Sequence, residues 1–496
     1  MSLTLIATVL GLYFSALLLI SWYTSKNADS ESFFIGKKES PWFLVAFGMI
    51  GTSLSGVTFI SVPGAVGTAG FAYFQIVLGY LIGYIIIGTV LMPLYYKMGL
   101  ISIYTYLETR LGKWSYKTGA TFFLISRTIG SALRLYLASA VLQLFIFDRW
   151  NVPFIVTVAV TILLIWLYTY KGGIKTIIWT DSFQTIFLIA ALIVSIVAMG
   201  GHLNTSLTDL MQQVWHSSYS QVFHFEDAMA GNYFWKQLVA GALLALVMTG
   251  LDQDLMQKNL SCRNIGDAQK NMLWFTIVLV AVNLLFLILG ALLYIYANAK
   301  GIAIPARTDF LFPMLALNEF GNIAGIFFLL GITASSYASS DSALTALTTS
   351  FCIDFLNIGQ YDETKAKKYR TWVHVGFSVL FLIIIVLFNW LNNASVIDAV
   401  LKAAVYTYGP LLGLFFFGIL TQRSIQDKWT PVMAVAAPII TYFIGTAAKE
   451  YLGYTFSYEL LLVNGGLMFI GLWVSGYYLA KNQPKVIQAK DPKIQY

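Results

Sequence analysis

The chain has 496 residues, 58% of them hydrophobic and only 11% charged, with a mean hydropathy of +0.73. A soluble protein carries about a quarter charged residues, so this composition excludes one and points to a polytopic membrane protein. The formal charge is +7; two cysteines imply neither a disulfide framework nor a cysteine-based metal site, and four histidines without HExxH spacing argue against a zinc enzyme.

Apolar blocks of roughly 20 residues, the length that crosses a bilayer as a helix, predict an all-α fold with about 13 transmembrane helices. They run over 3–24, 41–65, 72–97, 118–146, 152–170, 177–200, 234–257, 271–297, 322–350, 371–391, 394–421, 429–448 and 457–480. The first block lacks a basic n-region and is followed by SWYTSKNADSES rather than a small-residue cleavage site, so it reads as a retained span. Residues 102–112, SIYTYLETRLG, look amphipathic and are expected to lie along the inner surface. The segment 201–233 is the longest stretch outside the spans and too short for a separate domain.

Lys and Arg set the orientation. With the N-terminus outside, the inner segments hold Lys26, Lys37, Lys38, Lys97, Arg110, Lys113, Lys117, Lys171, Lys175, Lys258, Arg263, Lys270, Lys365, Lys367, Lys368, Arg370, Arg423 and Lys428, followed by the lysines of the tail 481–496. The outer segments and span ends hold Arg149, Lys236, Lys300, Arg307 and Lys449. The asymmetry predicts a cytoplasmic C-terminus, and the basic excess reports topology rather than nucleic-acid binding. Arg127, Arg134, Lys402, Asp181, Asp252, Asp341 and Asp398 fall within or at the ends of spans. Charges there are expensive and mark functional sites by default.

Three spans carry the chemistry. The second holds Gly51, Thr52, Ser53, Ser55, Gly56, Thr58 and Ser61 before Pro63-Gly64. That density of small and hydroxylated residues permits a helix break, which at membrane depth is tolerated around a cavity or bound ion; close helix packing would also use such residues. The seventh places Asp252 and Gln253 after Thr249-Gly250, again a polar point inside a span. Paired interruptions in two halves point to a transporter site built on inverted repeats. The ninth surrounds Asp341 with Ser335, Ser336, Ser339, Ser340, Ser342 and Thr345, hard oxygen ligands that suit a cation such as Na⁺. Asp181, at the mouth of the sixth span, is expected to share a cation with this span; the alternative partner is Lys175, awkwardly placed about two turns earlier. Arg127, Ser131 and Arg134 share one face of the fourth span and, with Lys402, would suit an anionic solute, although Lys402 can instead pair with Asp398 at i−4.

With these stretches, the chain resembles the sodium:solute symporter family over about residues 5–480. SESFFIGKKESPWFLVAFGMIGTSLS resembles the entry to the family's first core helix, and GLISIYTYLETRLG its inner-surface segment. GGIKTIIWTDSFQ is close to the family's GG…TD-x2-Q signature, and GLDQDLMQKNLSCRN to its DQ…Q…LS pattern. The resemblance implies a LeuT-type five-plus-five inverted repeat in a single domain, 1–496. Within it, 3–24 is an extra first helix, 41–200 and 234–421 are the repeats, 429–480 holds two accessory helices and 481–496 is a cytoplasmic tail. It implies a main cation site at the carbonyls of Gly51, Leu54 and Ser335 with the Ser339 hydroxyl, Ala338 standing where the family has serine. A second site would join Asp181 to Asp341 and Ser342, Asp341 standing where the sialic acid type has serine. Ser53, Ser55, Thr58, Gln75, Gly79, Asp252, Gln253, Arg134 and Lys402 are the implied solute contacts.

The expectation is a Na⁺-coupled symporter of a small polar solute such as a sialic acid, sugar, carboxylate or amino acid. It would be a monomer in the bacterial inner membrane, with the lipid bilayer, Na⁺ and solute as partners, and neither an enzyme nor a nucleic-acid binder. A proton-coupled carrier of the same fold, or a transporter-like sensor, is the alternative.

Overall fold

The computed structural model describes residues 3–26, 29–170, 172–391 and 396–482. Lys171, and Lys485, Lys490 and Lys493 of the expected tail, lie outside them. Among the described residues nine helices are long and apolar enough to cross a membrane, eleven when each of two sharply bent pairs counts as one span. Two shorter apolar helices, Phe154–Thr169 and Leu460–Gly476, add to these. No strand forms among the described residues, only an isolated bridge between Ser40 and Cys262.

In chain order the helices are α1 (Leu3–Thr24), α2 (Trp42–Ser53), α3 (Gly56–Ala69), α4 (Tyr73–Lys97), α5 (Thr105–Arg110), α6 (Lys113–Phe145), α7 (Phe154–Thr169), α8 (Gly173–Leu203) and α9 (Leu207–His216). There follow α10 (Phe234–Gly250), α11 (Gln253–Leu260), α12 (Ile265–Lys300), α13 (Gly321–Phe355), α14 (Glu363–Leu391), α15 (Val396–Leu420), α16 (Thr430–Leu452) and α17 (Leu460–Asn482). Several outrun their apolar blocks because polar caps, not loss of hydropathy, end them. Asn264 accepts a bond from the Asp267 amide at the start of α12, and Gly301, with φ 65°, closes it in the left-handed conformation.

The second span is broken at Leu54–Ser55, where α2 and α3 meet at 55°. The seventh is broken at Leu251–Asp252, where α10 and α11 meet at 63°. Helices α2, α8 and α13 pack on one another, α6 lies against α13 and α15, and α4 against α10. The last contact explains Gly79, expected to touch solute: a Cβ there would stand 2.2 Å from the Leu238 carbonyl oxygen. Gly79 serves helix approach instead.

The 102–112 segment is one-sided: Ser102, Ile103, Tyr104 and Leu107 are buried against the bundle, while Glu108 and Thr109 are exposed. One other expectation changes: Lys258, assigned to an inner loop by its charge, is fully buried on α11, whose every residue is buried.

Candidate functional site

The break in the second span opens a central cavity of about 90 Å³. Thr52, Ser53, Leu54, Ser55 and Thr58 line one wall, Tyr73, Tyr80 and Tyr84 of α4 a second, Arg127 and Arg134 of α6 a third; Thr249 and Asn283 complete the polar part. Three of the expected solute contacts, Ser53, Ser55 and Thr58, therefore meet Arg134 in one space. The Ser53 hydroxyl and the Asn283 side-chain oxygen are buried without hydrogen-bond partners among the described residues, which leaves them available to a ligand.

Helix α13 passes the break closely. A Cβ on Gly51 would lie 3.6 Å from that of Ala338, and one on Gly56 would lie 2.2 Å from the Ser336 hydroxyl. A side chain at 56 would have to displace the Ser336 hydroxyl, so glycine lets α13 approach closely there. Leu54 and Ser55 leave helical geometry, at φ −86°, ψ 65° and φ −64°, ψ 174°. The last carbonyls of α2, Gly51 among them, thus lose the donors a continuing helix would provide. Ser335 and Ser339 lie on the facing helix, both buried. The elements that carry Gly51, Leu54, Ser335 and Ser339 thus adjoin. No group of three or more His, Cys, Asp or Glu side chains forms among the described residues, so a cation here would be held by hydroxyl and carbonyl oxygens.

The expected second cation pair is not what surrounds Asp181. Its Oδ2 lies 2.5 Å from Lys258 Nζ and accepts a hydrogen bond from Thr52 Oγ1 at 2.9 Å; Lys258 also donates to Thr52 Oγ1. Its ion-pair partner is therefore Lys258 rather than Lys175. Asp341 accepts from the Tyr168 hydroxyl at 2.8 Å and from the Ser342 amide at 2.5 Å. Ser342 turns its hydroxyl to Asp254 instead. Asp254, Tyr168 and Lys258 were absent from the expected site. The signal for Lys258 was in the sequence: it sits five residues after Gln253, too close to a span interior for a loop lysine.

The second break is sealed. Arg127 pairs with Asp254 and stands 3.8 Å from Asp252. Asp252 caps α11 through the Asp254 amide at 2.9 Å and accepts from the Tyr408 hydroxyl of α15. Asp252 is thus a lock rather than a solute contact. Gln253 is likewise withdrawn: it donates to the Ile101 carbonyl at 2.7 Å and accepts from the Ile103 amide at 3.0 Å, pinning the start of the 102–112 segment. Gln75 is buried outside the cavity wall, donating to the Asn232 carbonyl at 3.0 Å and accepting from the His224 amide at 3.2 Å, so it ties down the 201–233 segment. Lys402 pairs with Asp398 at 2.5 Å in an open vestibule above the cavity, with its side chain 66% exposed.

A membrane-embedded helical bundle in which two broken helices flank a polar cavity is the architecture of a secondary transporter. A profile of the Sodium:solute symporter family matches residues 33–427, and the chain belongs to that family. It is 27% identical over 470 residues to sodium-coupled monocarboxylate transporter 1 of Xenopus laevis, covering 90% of this chain and 71% of that one. It is 26% identical over 408 residues to sodium-coupled monocarboxylate transporter 2 of Bos taurus, covering 80% and 64% respectively, less than two thirds of that relative. To the sodium/sialic acid symporter of Aliivibrio fischeri it is 23% identical over 444 residues, covering 86% and 85%. A substrate-bound, outward-open Na⁺-coupled sialic acid symporter superposes with a TM-score of 0.81 at 19% identity, covering 95% of this chain and 98% of that one. A nucleobase-cation-symport-1 family transporter in a closed conformation superposes with a TM-score of 0.57 at 12% identity, covering 92% and 96%. Both likenesses are of fold.

Proposed function

We propose that the chain is a Na⁺-driven symporter of a small organic carboxylate, with Arg134 as the anchor for the carboxylate. One observation carries this reading. Arg127 and Arg134 line the same cavity, but Arg127 is ion-paired with Asp254 and stands 3.8 Å from Asp252, whereas Arg134 makes no ion pair among the described residues. A guanidinium left unpaired at membrane depth calls for an anionic ligand, and its planar fork matches a carboxylate. Ser53, Ser55 and Thr58 supply hydroxyls for the rest of the solute. The monocarboxylate and sialic acid relatives, whose names give acids as cargo, support an acid here.

Coupling follows from adjacency. Arg134 Nη1 stands 3.5 Å from the Ser339 hydroxyl, the side chain we assign to the main Na⁺ site with the carbonyls of Gly51, Leu54 and Ser335. A cation bound there repels the free guanidinium and attracts a carboxylate on it, so each ligand raises the other's affinity, reciprocally. The Na⁺ gradient supplies work, about 2.3 kcal/mol per charge per 100 mV. We place the two repeats at 41–200 and 234–421 in one domain of thirteen spans, the short α7 and α17 included, in a monomer of the bacterial inner membrane with the N-terminus outside.

Uptake into proteoliposomes tests the reading. Lactate, pyruvate and sialic acid are offered beside a neutral sugar, with and without an inward Na⁺ gradient. Accumulation of an acid only under the gradient is expected; uptake of the sugar alone, or uptake indifferent to Na⁺, overturns it.

A further inference from the structure

Away from the central cavity, a slot of about 270 Å³ opens between α1, α6, α7 and α13. Thr333 and Tyr337 of α13 form its back wall, and both are buried. Leu10 and Phe14 of α1 close one side, the Phe14 ring lying 5.4 Å from that of Tyr337. Val156, Val160 and Leu164 of α7 form the other side. Val156 and Val160 are 43% and 47% exposed, and on an apolar helix of this bundle that exposure is to lipid. The three residues recur at every fourth position, so they follow one face of α7 over about 12 Å. The volume is drawn out along that face, a shape that suits an alkyl chain lying along α7 rather than a compact ligand. Where α6 stops and α7 begins, Phe147 and Trp150 line the slot, and tryptophan at a span end sits at headgroup level. Arg149 lies between them, exposed and without an ion pair among the described residues. Its neighbour Asp148 is taken by Gln143, whose side-chain amide donates to Oδ1 at 2.6 Å.

We infer that this slot is a lipid site: it holds one acyl chain of an anionic phospholipid from the leaflet in which α6 ends, with Arg149 against the lipid phosphate. A water in the slot would find few polar partners, and an empty slot would forfeit the dispersion contacts of its walls. A lipid tail is as apolar as those walls and is already at hand. The guanidinium pairs with a phosphate in the two-pronged geometry it favours. The Thr333 hydroxyl has no hydrogen-bond partner among the described residues, and an acyl chain gives it none, so it adds nothing to binding. The chain would stand behind α13, whose Ser336 meets the broken second span at Gly56, and would hold α13 toward that break. None of this depends on which solute or ion is carried.

The full chain tests this in phosphatidylcholine vesicles that contain a phosphatidylglycerol with a photoreactive diazirine in one acyl chain. After illumination the label is expected to concentrate on α7 and on Thr333 and Tyr337 of α13. Unlabelled phosphatidylglycerol should compete ~5-fold better than added phosphatidylcholine, the worth of one basic residue beside a charged headgroup. Val160→Trp fills the slot from its lipid-exposed rim and should remove the label from α13. Arg149→Gln should keep the label but lose the preference for phosphatidylglycerol; on an exposed turn, it reads the outcome even where Val160→Trp does not fold. Thr333→Val removes the unpartnered hydroxyl and should label at least as strongly as the wild type. Label spread evenly over the lipid-exposed helices, or unchanged on α13 in Val160→Trp, overturns the site. Loss of label in Thr333→Val overturns the acyl chain as its occupant, because the ligand would then need a polar contact at that depth. Equal competition by the two phospholipids, or competition by a free fatty acid as strong as that by phosphatidylglycerol, overturns the anionic phospholipid.

Discussion

The two helix breaks share a sequence signature and have opposite fates. At Leu54–Ser55 the polar groups face space: Ser53, Ser55 and Thr58 line the cavity, and the Ser53 hydroxyl has no partner among the described residues. At Leu251–Asp252 they are used up, Asp252 by Tyr408 and the Asp254 amide, Gln253 by the backbone at 101 and 103, Asp254 by Arg127 and Ser342. Both are Gly/Thr/Ser-rich points inside an apolar span. The first is unsatisfied and so can bind; the second is satisfied and so can lock. A break becomes a site only where the rest of the fold withholds partners.

That contrast breaks most visibly at Arg127. Replacing it by Met strips the counter-charge from Asp254 and Asp252, and losing one side of a buried pair costs about 3–5 kcal/mol. Arg127→Met is expected to unfold well below the wild type in detergent thermal melts, and Ser53→Ala, at the open break, to melt close to it. An Arg127→Met protein as stable as the wild type would show that the second break is not locked by charge.

Arg134 should behave in the opposite sense. A charge-assisted hydrogen bond contributes about 1.5–3 kcal/mol, so Arg134→Met is expected to weaken carboxylate uptake ~10- to 100-fold. Its melting temperature should hold or rise, because an unpaired, half-buried charge is removed. Uptake and melting measured on one preparation check both halves. A variant that loses stability but keeps its apparent affinity would place Arg134 among the locks.

A smaller effect is expected at Ser339. Loss of one neutral oxygen ligand is worth about 0.5–1.5 kcal/mol, so Ser339→Ala should raise the half-saturating Na⁺ concentration ~2- to 10-fold while the maximal rate holds. A Na⁺ titration of uptake decides; an unchanged midpoint removes Ser339 from the cation site.

Much of this was legible in the chain, and what was not has a common cause. Apolar block length predicted most of the spans, and small and hydroxylated residues predicted both bends, because those properties are local. The partners were not local. Lys258 lies 77 residues from Asp181, and Tyr408 lies 156 from Asp252. No spacing rule links them, so the Asp181 partner was sought at Lys175 and in a shared ion with Asp341. Charge counting misled at Lys258 for a related reason: a lysine near a span end is taken as solvated unless a buried carboxylate waits for it. Gln75 was read as a solute contact from the family resemblance and Gln253 from its place beside the second interruption; neither reveals that the amide is taken by the backbone of a distant segment.

The least effect is expected at Lys402, and its smallness is informative. Lys402 faces the vestibule with Lys449, Tyr406, Tyr442 and Tyr458, and its ammonium sits 2.5 Å from Asp398, which also accepts a hydrogen bond from the Tyr458 hydroxyl at 3.1 Å. The pair is solvent-exposed, and exposed ion pairs contribute about 0–1 kcal/mol. Lys402→Ala should therefore leave the melting temperature within a degree or two of the wild type, roughly what so small a ΔΔG allows. Its influence on an anionic solute is at a distance. A cation at the cavity mouth raises the capture rate of anions, and salt screens that effect over about 8–10 Å at physiological ionic strength. The apparent affinity for a carboxylate should fall by no more than ~3-fold at low ionic strength. The difference from the wild type should vanish when choline chloride raises the ionic strength at fixed Na⁺. A contact inside the binding cavity would behave otherwise, since its loss would persist at high salt. A tenfold or salt-independent loss in Lys402→Ala would return Lys402 to the solute site and move the carboxylate anchor outward from Arg134.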